Sequence, residues 1–64
     1  MASRKTTHLS ILVGRNIAER RKRQGFSQDR LADALDISAS ELSRIESGQA
    51  TPRFERLEDL ANIL

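Results

Sequence analysis

An all-α fold of four short helices is what this sequence predicts, and three observations predict it. No stretch alternates apolar and polar residues in the manner of a β-strand. Gly25, Gly48 and Pro52, with Ser27, Ser38 and Thr51 as candidate N-caps, break the chain at short intervals. Between these breaks, apolar residues return at helical spacing.

The first helix is expected over 10–24. Val13 and Ile17 share one stripe, Gly25 supplies a left-handed cap, and Arg20, Arg21, Lys22 and Arg23 fall in the last turns, where cations suit the helix dipole. Gly14 stands inside this helix, where it costs roughly 1 kcal/mol relative to alanine. The second helix, over 28–35, starts after Ser27, carries Asp29 in its first turn and buries Leu31, Ala32 and Leu35. The third, over 39–47, opens with a capping box in which Ser38 and Glu41 satisfy each other's backbone donors, and it ends at Gly48. The fourth, over 53–64, follows Thr51-Pro52, with proline well placed at the helix start; Phe54, Leu57, Leu60, Ala61 and Leu64 form its repeat. The domain is expected over 10–64, behind a flexible basic arm over 1–9 that carries Arg4, Lys5 and a solitary His8.

Composition narrows the function. A chain of 64 residues makes one small domain of marginal stability. Without cysteine it has neither a disulfide nor a zinc site to strengthen it, so tidy helix packing or a partner subunit must do so. There is no nucleophile–base pair, no metal-ligand cluster and no room for a deep pocket, so neither an enzyme nor a cofactor is expected. No apolar run approaches the roughly 20 residues that cross a bilayer, and the N-terminus does not read as a signal peptide. A cytoplasmic, nucleoid-associated location is expected. The formal net charge is only +2, but its distribution is lopsided. Residues 1–25 hold seven cations against the single acid Glu19, and the remainder holds four arginines against the other eight acids. Such a cationic end suits a polyanion. A membrane surface fits poorly, because no bulky apolar residues stand opposite Arg20–Arg23. With no Trp or Tyr there is no stacking platform for single strands.

On a helical wheel, Leu42 and Ile45 mark the inward side of helix 3, while Ser40 and Ser47, flanked by Ser43 and Arg44, face outward. Three small hydroxyls let the backbone approach closely, and one long cation can fork onto the O6 and N7 of guanine in a major groove about 12 Å wide. Helices 2 and 3 are both short and are joined only through Asp36 and Ile37, which is helix-turn-helix spacing. Gln28, at the start of helix 2, can bring an amide side chain and a backbone N–H to a phosphate.

Residues 13–64 resemble the lambda-repressor-like helix-turn-helix family, also called XRE or Cro/CI. The resemblance is carried by Gly25-Phe26-Ser27-Gln28, Leu31-Ala32, Leu35, Ile37-Ser38, Leu42-Ser43-Arg44-Ile45-Glu46, Gly48, Pro52, Leu57, Leu60-Ala61 and Leu64. It implies a homodimer that binds double-stranded DNA by sequence and regulates transcription, usually as a repressor of bacterial or phage promoters. It implies that Ala39, Ser40 and Arg44 face bases, that Gln28, Ser43, Ser47 and Arg53 lie at phosphates, and that Arg21 pairs with Glu46 as a structural tie. Three departures stand out. Arg20 occupies a position that is usually apolar, and Ala39 one that often holds a long polar reader. The family also commonly adds a fifth helix, which here is either lost or cut off by the chain being a fragment; Ile63 is then exposed or covered by a second subunit. The alternative reading is a protein-interaction module, such as an antitoxin or adaptor, with secondary DNA binding.

Overall fold

The computed structural model describes residues 8–64, apart from the side chain of Phe54. The cations Arg4 and Lys5 and the core role expected of Phe54 lie outside the described residues. Four helices follow in order, α1 (His8–Arg23), α2 (Gln28–Leu35), α3 (Ala39–Glu46) and α4 (Phe54–Ile63), and no strand occurs among the described residues. α1 begins earlier than the sequence suggests, so His8 and Leu9 belong to its first turn and not to an arm. Neither residue opposes a helix, and lengthening an existing helix adds a hydrogen bond for each residue ordered.

The first three helices end in the same way. Phe26 N–H donates to Arg21 O at 3.0 Å and Gly25 N–H to Lys22 O at 3.0 Å, with Gly25 at φ 82°. At the end of α2, Ile37 N–H reaches Ala32 O at 3.0 Å and Asp36 N–H reaches Asp33 O at 3.1 Å, with Asp36 at φ 60°. At the end of α3, Gln49 N–H reaches Arg44 O at 2.8 Å and Gly48 N–H reaches Ile45 O at 3.1 Å, with Gly48 at φ 85°. Each is a Schellman cap, which returns the chain sharply. The middle one uses aspartate, whose short polar side chain tolerates the left-handed region better than most residues do.

The starts of α2 and α3 are capped by serine. Ser27 Oγ accepts from Arg30 N–H at 3.1 Å and Ser38 Oγ from Glu41 N–H at 3.0 Å. Among the described residues Glu41 makes no return bond to Ser38, so the capping box is half made. The start of α4 also differs from expectation. Arg53 takes the N-cap position without a side-chain cap bond, and Pro52 is buried just ahead of it rather than opening the helix.

Leu31, Leu35 and Leu42 are fully buried and form one core with Ile17, Ala32, Ile45 and Leu60. α3 packs between α1 and α2, whereas α4 leans on α2. Gly14 now has its reason. A β-carbon there would run into the carbonyl oxygen of Ile45 and lie 2.7 Å from that of Glu46, so α1 and the end of α3 meet backbone to backbone. α4 is rotated relative to the expected stripe: Leu60 is buried and Ile63 half-buried against the core, while Leu57 is 40% exposed and Ala61 is exposed. Docking on α2 turns Leu60 and Ile63 inward and leaves the Leu57 side facing α1 across an open groove.

Replacing Gly14 with alanine should lower stability by about 1–3 kcal/mol through overpacking. Helix propensity alone predicts a gain of about 1 kcal/mol, so urea unfolding of Gly14→Ala separates the two by sign.

Candidate nucleic-acid interface

α3 carries two faces with different duties. Leu42 is 0% and Ile45 3% exposed, while Ser40, Ser43 and Arg44 on the opposite side are open to solvent. Ser47 follows the last helical residue, also exposed, and its hydroxyl donates to Arg44 O at 3.1 Å. Ala39 is half-buried and packs against the core, so its methyl is shared between the interior and the outer rim. Arg53 is exposed where the chain enters α4.

The end of α3 is held by a polar cluster beneath this face. Arg21 grips Glu46 with two nitrogens: Nε donates to Oε2 at 2.6 Å and Nη2 to Oε1 at 3.1 Å. Its remaining terminal nitrogen, Nη1, donates to Phe26 O at 2.9 Å. Both charged side chains are about nine-tenths buried, at 10% and 7% exposure. Such a pair is tolerable only when its polar atoms are satisfied. Here a planar guanidinium matches a carboxylate bidentately and caps a carbonyl with its third nitrogen. Among the described residues no buried side-chain nitrogen or oxygen lacks a partner.

Gln28 joins the cluster, which the sequence reading did not anticipate. Its Nε2 donates to Glu46 Oε1 at 2.8 Å. The half-buried first residue of α2 is therefore tied to the last residue of α3, 18 positions along the chain. Helical periodicity places each residue on its own helix but says nothing of which ends meet, so no linear signal marked this bond. The amide has a second hydrogen, and the N–H groups of Gln28 and Asp29 open α2 with no acceptor inside the helix. Nearby, the Arg30 guanidinium lies 5.9 Å from the centre of the Phe26 ring, bracing the turn that leads into α2.

A short α2 and α3 at a sharp turn, with α3 sealed inside and hydroxylated outside, define a class, and comparison with known proteins agrees. Residues 17–64 match the helix-turn-helix family model of the XRE type. This chain belongs to that family, whose members are DNA-binding transcriptional regulators. It is similar to the uncharacterized HTH-type transcriptional regulator YazB of Bacillus subtilis (strain 168), with 41% identity over 51 residues, 80% of this chain and 74% of YazB. It is also similar to the SPbeta prophage-derived uncharacterized HTH-type transcriptional regulator YonR of the same organism, with 36% identity over 53 residues, 83% of this chain and 49% of YonR. Among the described residues no helix is long and apolar enough to cross a membrane.

The polar cluster yields a stability prediction. Arg21→Ala or Glu46→Ala strands the partner's charge and should cost about 3–5 kcal/mol, comparable to the whole stability of a domain this small. Gln28→Ala should cost only about 1 kcal/mol. In thermal and urea unfolding, the Arg21→Ala/Glu46→Ala double variant should lose less than the two single losses combined.

Proposed function

We propose that this protein is a sequence-specific repressor that binds duplex DNA as a dimer and lays the outer face of α3 in the major groove. The observation that carries this reading is the split within α3: Leu42 and Ile45 are sealed in the core while Ser40, Ser43 and Arg44 have no packing duty. A helix with such a small-residue face approaches base edges closely. Arg44 forks onto a guanine, and Ser40, with the exposed part of Ala39, meets neighbouring bases. Gln28 turns its second amide hydrogen and the first N–H groups of α2 to a phosphate. Ser43, Ser47 and Arg53 flank the groove at further phosphates. Glu46 and Arg21 make no DNA contact and hold α3 at its angle. The protein acts in the cytoplasm, on the nucleoid.

Two copies related by a two-fold axis require half-sites about 10–10.5 base pairs apart, centre to centre. Selection from a randomised duplex pool, followed by fluorescence anisotropy on the selected site, tests this. Arg44→Ala should lose about 1–3 kcal/mol and relax preference at one base pair, whereas Gln28→Ala should weaken all sequences alike. Binding should fall steeply with salt as counterions are released. An unchanged site preference in Arg44→Ala would overturn the assignment of α3 as the reading helix.

A further inference from the structure

We propose that Glu46 is a positioning residue for DNA binding: through its bond to Gln28 it holds the glutamine amide with its donor end toward a phosphate. This rests on the DNA reading above, in which Glu46 only kept α3 at its angle, and gives that buried carboxylate a second duty.

A side-chain amide has one donating and one accepting end of nearly the same size. Only the donating end suits a phosphate, whose oxygens accept. A glutamine at a helix start therefore needs something to choose between its ends. Left free to rotate, it also loses side-chain entropy when the contact forms. At Gln28 both matters are settled inside the protein. Its Nε2 donates to Glu46 Oε1 at 2.8 Å. A carboxylate oxygen paired with an arginine only accepts, so it selects the nitrogen and leaves the second hydrogen of the same NH2 group for another acceptor.

The carboxylate can do this beside a polyanion because its charge is matched. Arg21 covers both oxygens, Nε on Oε2 at 2.6 Å and Nη2 on Oε1 at 3.1 Å, so Oε1 is shared between the guanidinium and the amide. The charged pair is about nine-tenths buried whereas Gln28 is half-buried, so the amide links the pair to the surface. The start of α2 is arranged to match. Ser27 Oγ takes the N–H of Arg30 at 3.1 Å and Ser27 O that of Leu31 at 3.0 Å, which leaves the N–H groups of Gln28 and Asp29 open at the same end. An oxyanion there has three N–H groups to meet, two from the backbone and one oriented by a residue 18 positions away. Because Glu46 closes α3, the phosphate grip and the helix proposed to read bases hang on one carboxylate.

The test uses the duplex selected from a randomised pool, remade with one neutral methylphosphonate linkage at a time. The linkage whose affinity penalty disappears in Gln28→Ala is the one Gln28 holds. Two variants lacking the buried charges then differ in one acceptor. Arg21→Met/Glu46→Gln keeps an oxygen for Gln28, and Arg21→Met/Glu46→Leu does not. Exchanging a whole buried pair for neutral groups often preserves the fold, and circular dichroism checks it. The first variant should keep the penalty at that linkage. The second should lose it, bind the unmodified duplex about tenfold more weakly than the first, and keep its penalties at the other linkages. A penalty retained in the second variant overturns the proposal, and so does one that falls equally at every linkage, which marks Glu46 as purely structural. A further check needs no substitution. In wild type without DNA, nuclear magnetic relaxation should show the Gln28 NH2 group as ordered as the backbone, and a mobile amide overturns the proposal whatever the variants do. If no linkage responds to Gln28→Ala, the phosphate role of Gln28 has itself failed and this proposal falls with it. A Gln28 linkage indifferent to the acceptor at position 46 refutes the positioning role alone.

Discussion

A guanidinium buried inside a domain of this size has to find every acceptor it needs within reach, and Arg21 does so in Glu46 and the carbonyl of Phe26. The arrangement of the outer helices depends on that solution. The turn after α1 is held where its Phe26 carbonyl is gripped, α3 ends on the carboxylate, and α2 starts on the amide that shares the same carboxylate. Three helix ends converge on one charge pair, so their relative angles are set by directional bonds, not by apolar contact alone. Apolar packing tolerates sliding, whereas a bidentate guanidinium–carboxylate contact does not.

The second fixed point is Gly14, where the backbones of α1 and α3 touch. Together with the charge pair two turns further along α1, it holds α3 against α1 at two places. The matching caps at the ends of α1, α2 and α3 then keep the connections short enough for the helices to meet at these points. Arg44 and the serines are thus presented by a helix whose position is over-determined, which favours reading a ligand without prior rearrangement.

Much of this was legible in residue order. The Gly25 and Gly48 stops, the Ser27 and Ser38 caps and the inward pair Leu42 and Ile45 follow from local chemistry, which acts within a few residues. The pairing of Arg21 with Glu46 came from family resemblance alone, since nothing local links residues 25 positions apart. What stayed hidden depends on how helices sit on one another. The cost of Gly14 looked unexplained until α3 was laid across it. Leu57 and Ile63 exchanged roles because α4 docks on α2, and a periodic stripe wide enough for both does not say which edge faces inward. Pro52 and Thr51 moved out of the helix start because Arg53 serves as cap without side-chain chemistry, so no signal marked it. Gln28 looked like a pure phosphate ligand because its partner lies on another helix.

The partition of α3 also governs how such a regulator diverges. Residues on its inner side and at its end, Leu42, Ile45 and Glu46, are each bound to neighbours on other helices, so exchanging any of them disturbs the whole domain. Ser40, Ser43 and Arg44 are bound to none, and exposed substitutions of that kind usually shift stability by no more than about 0.5 kcal/mol. With α3 as the reading helix proposed above, variation can accumulate on its outer side while the scaffold stays still, and a duplicated copy can acquire a new target site without first being restabilised.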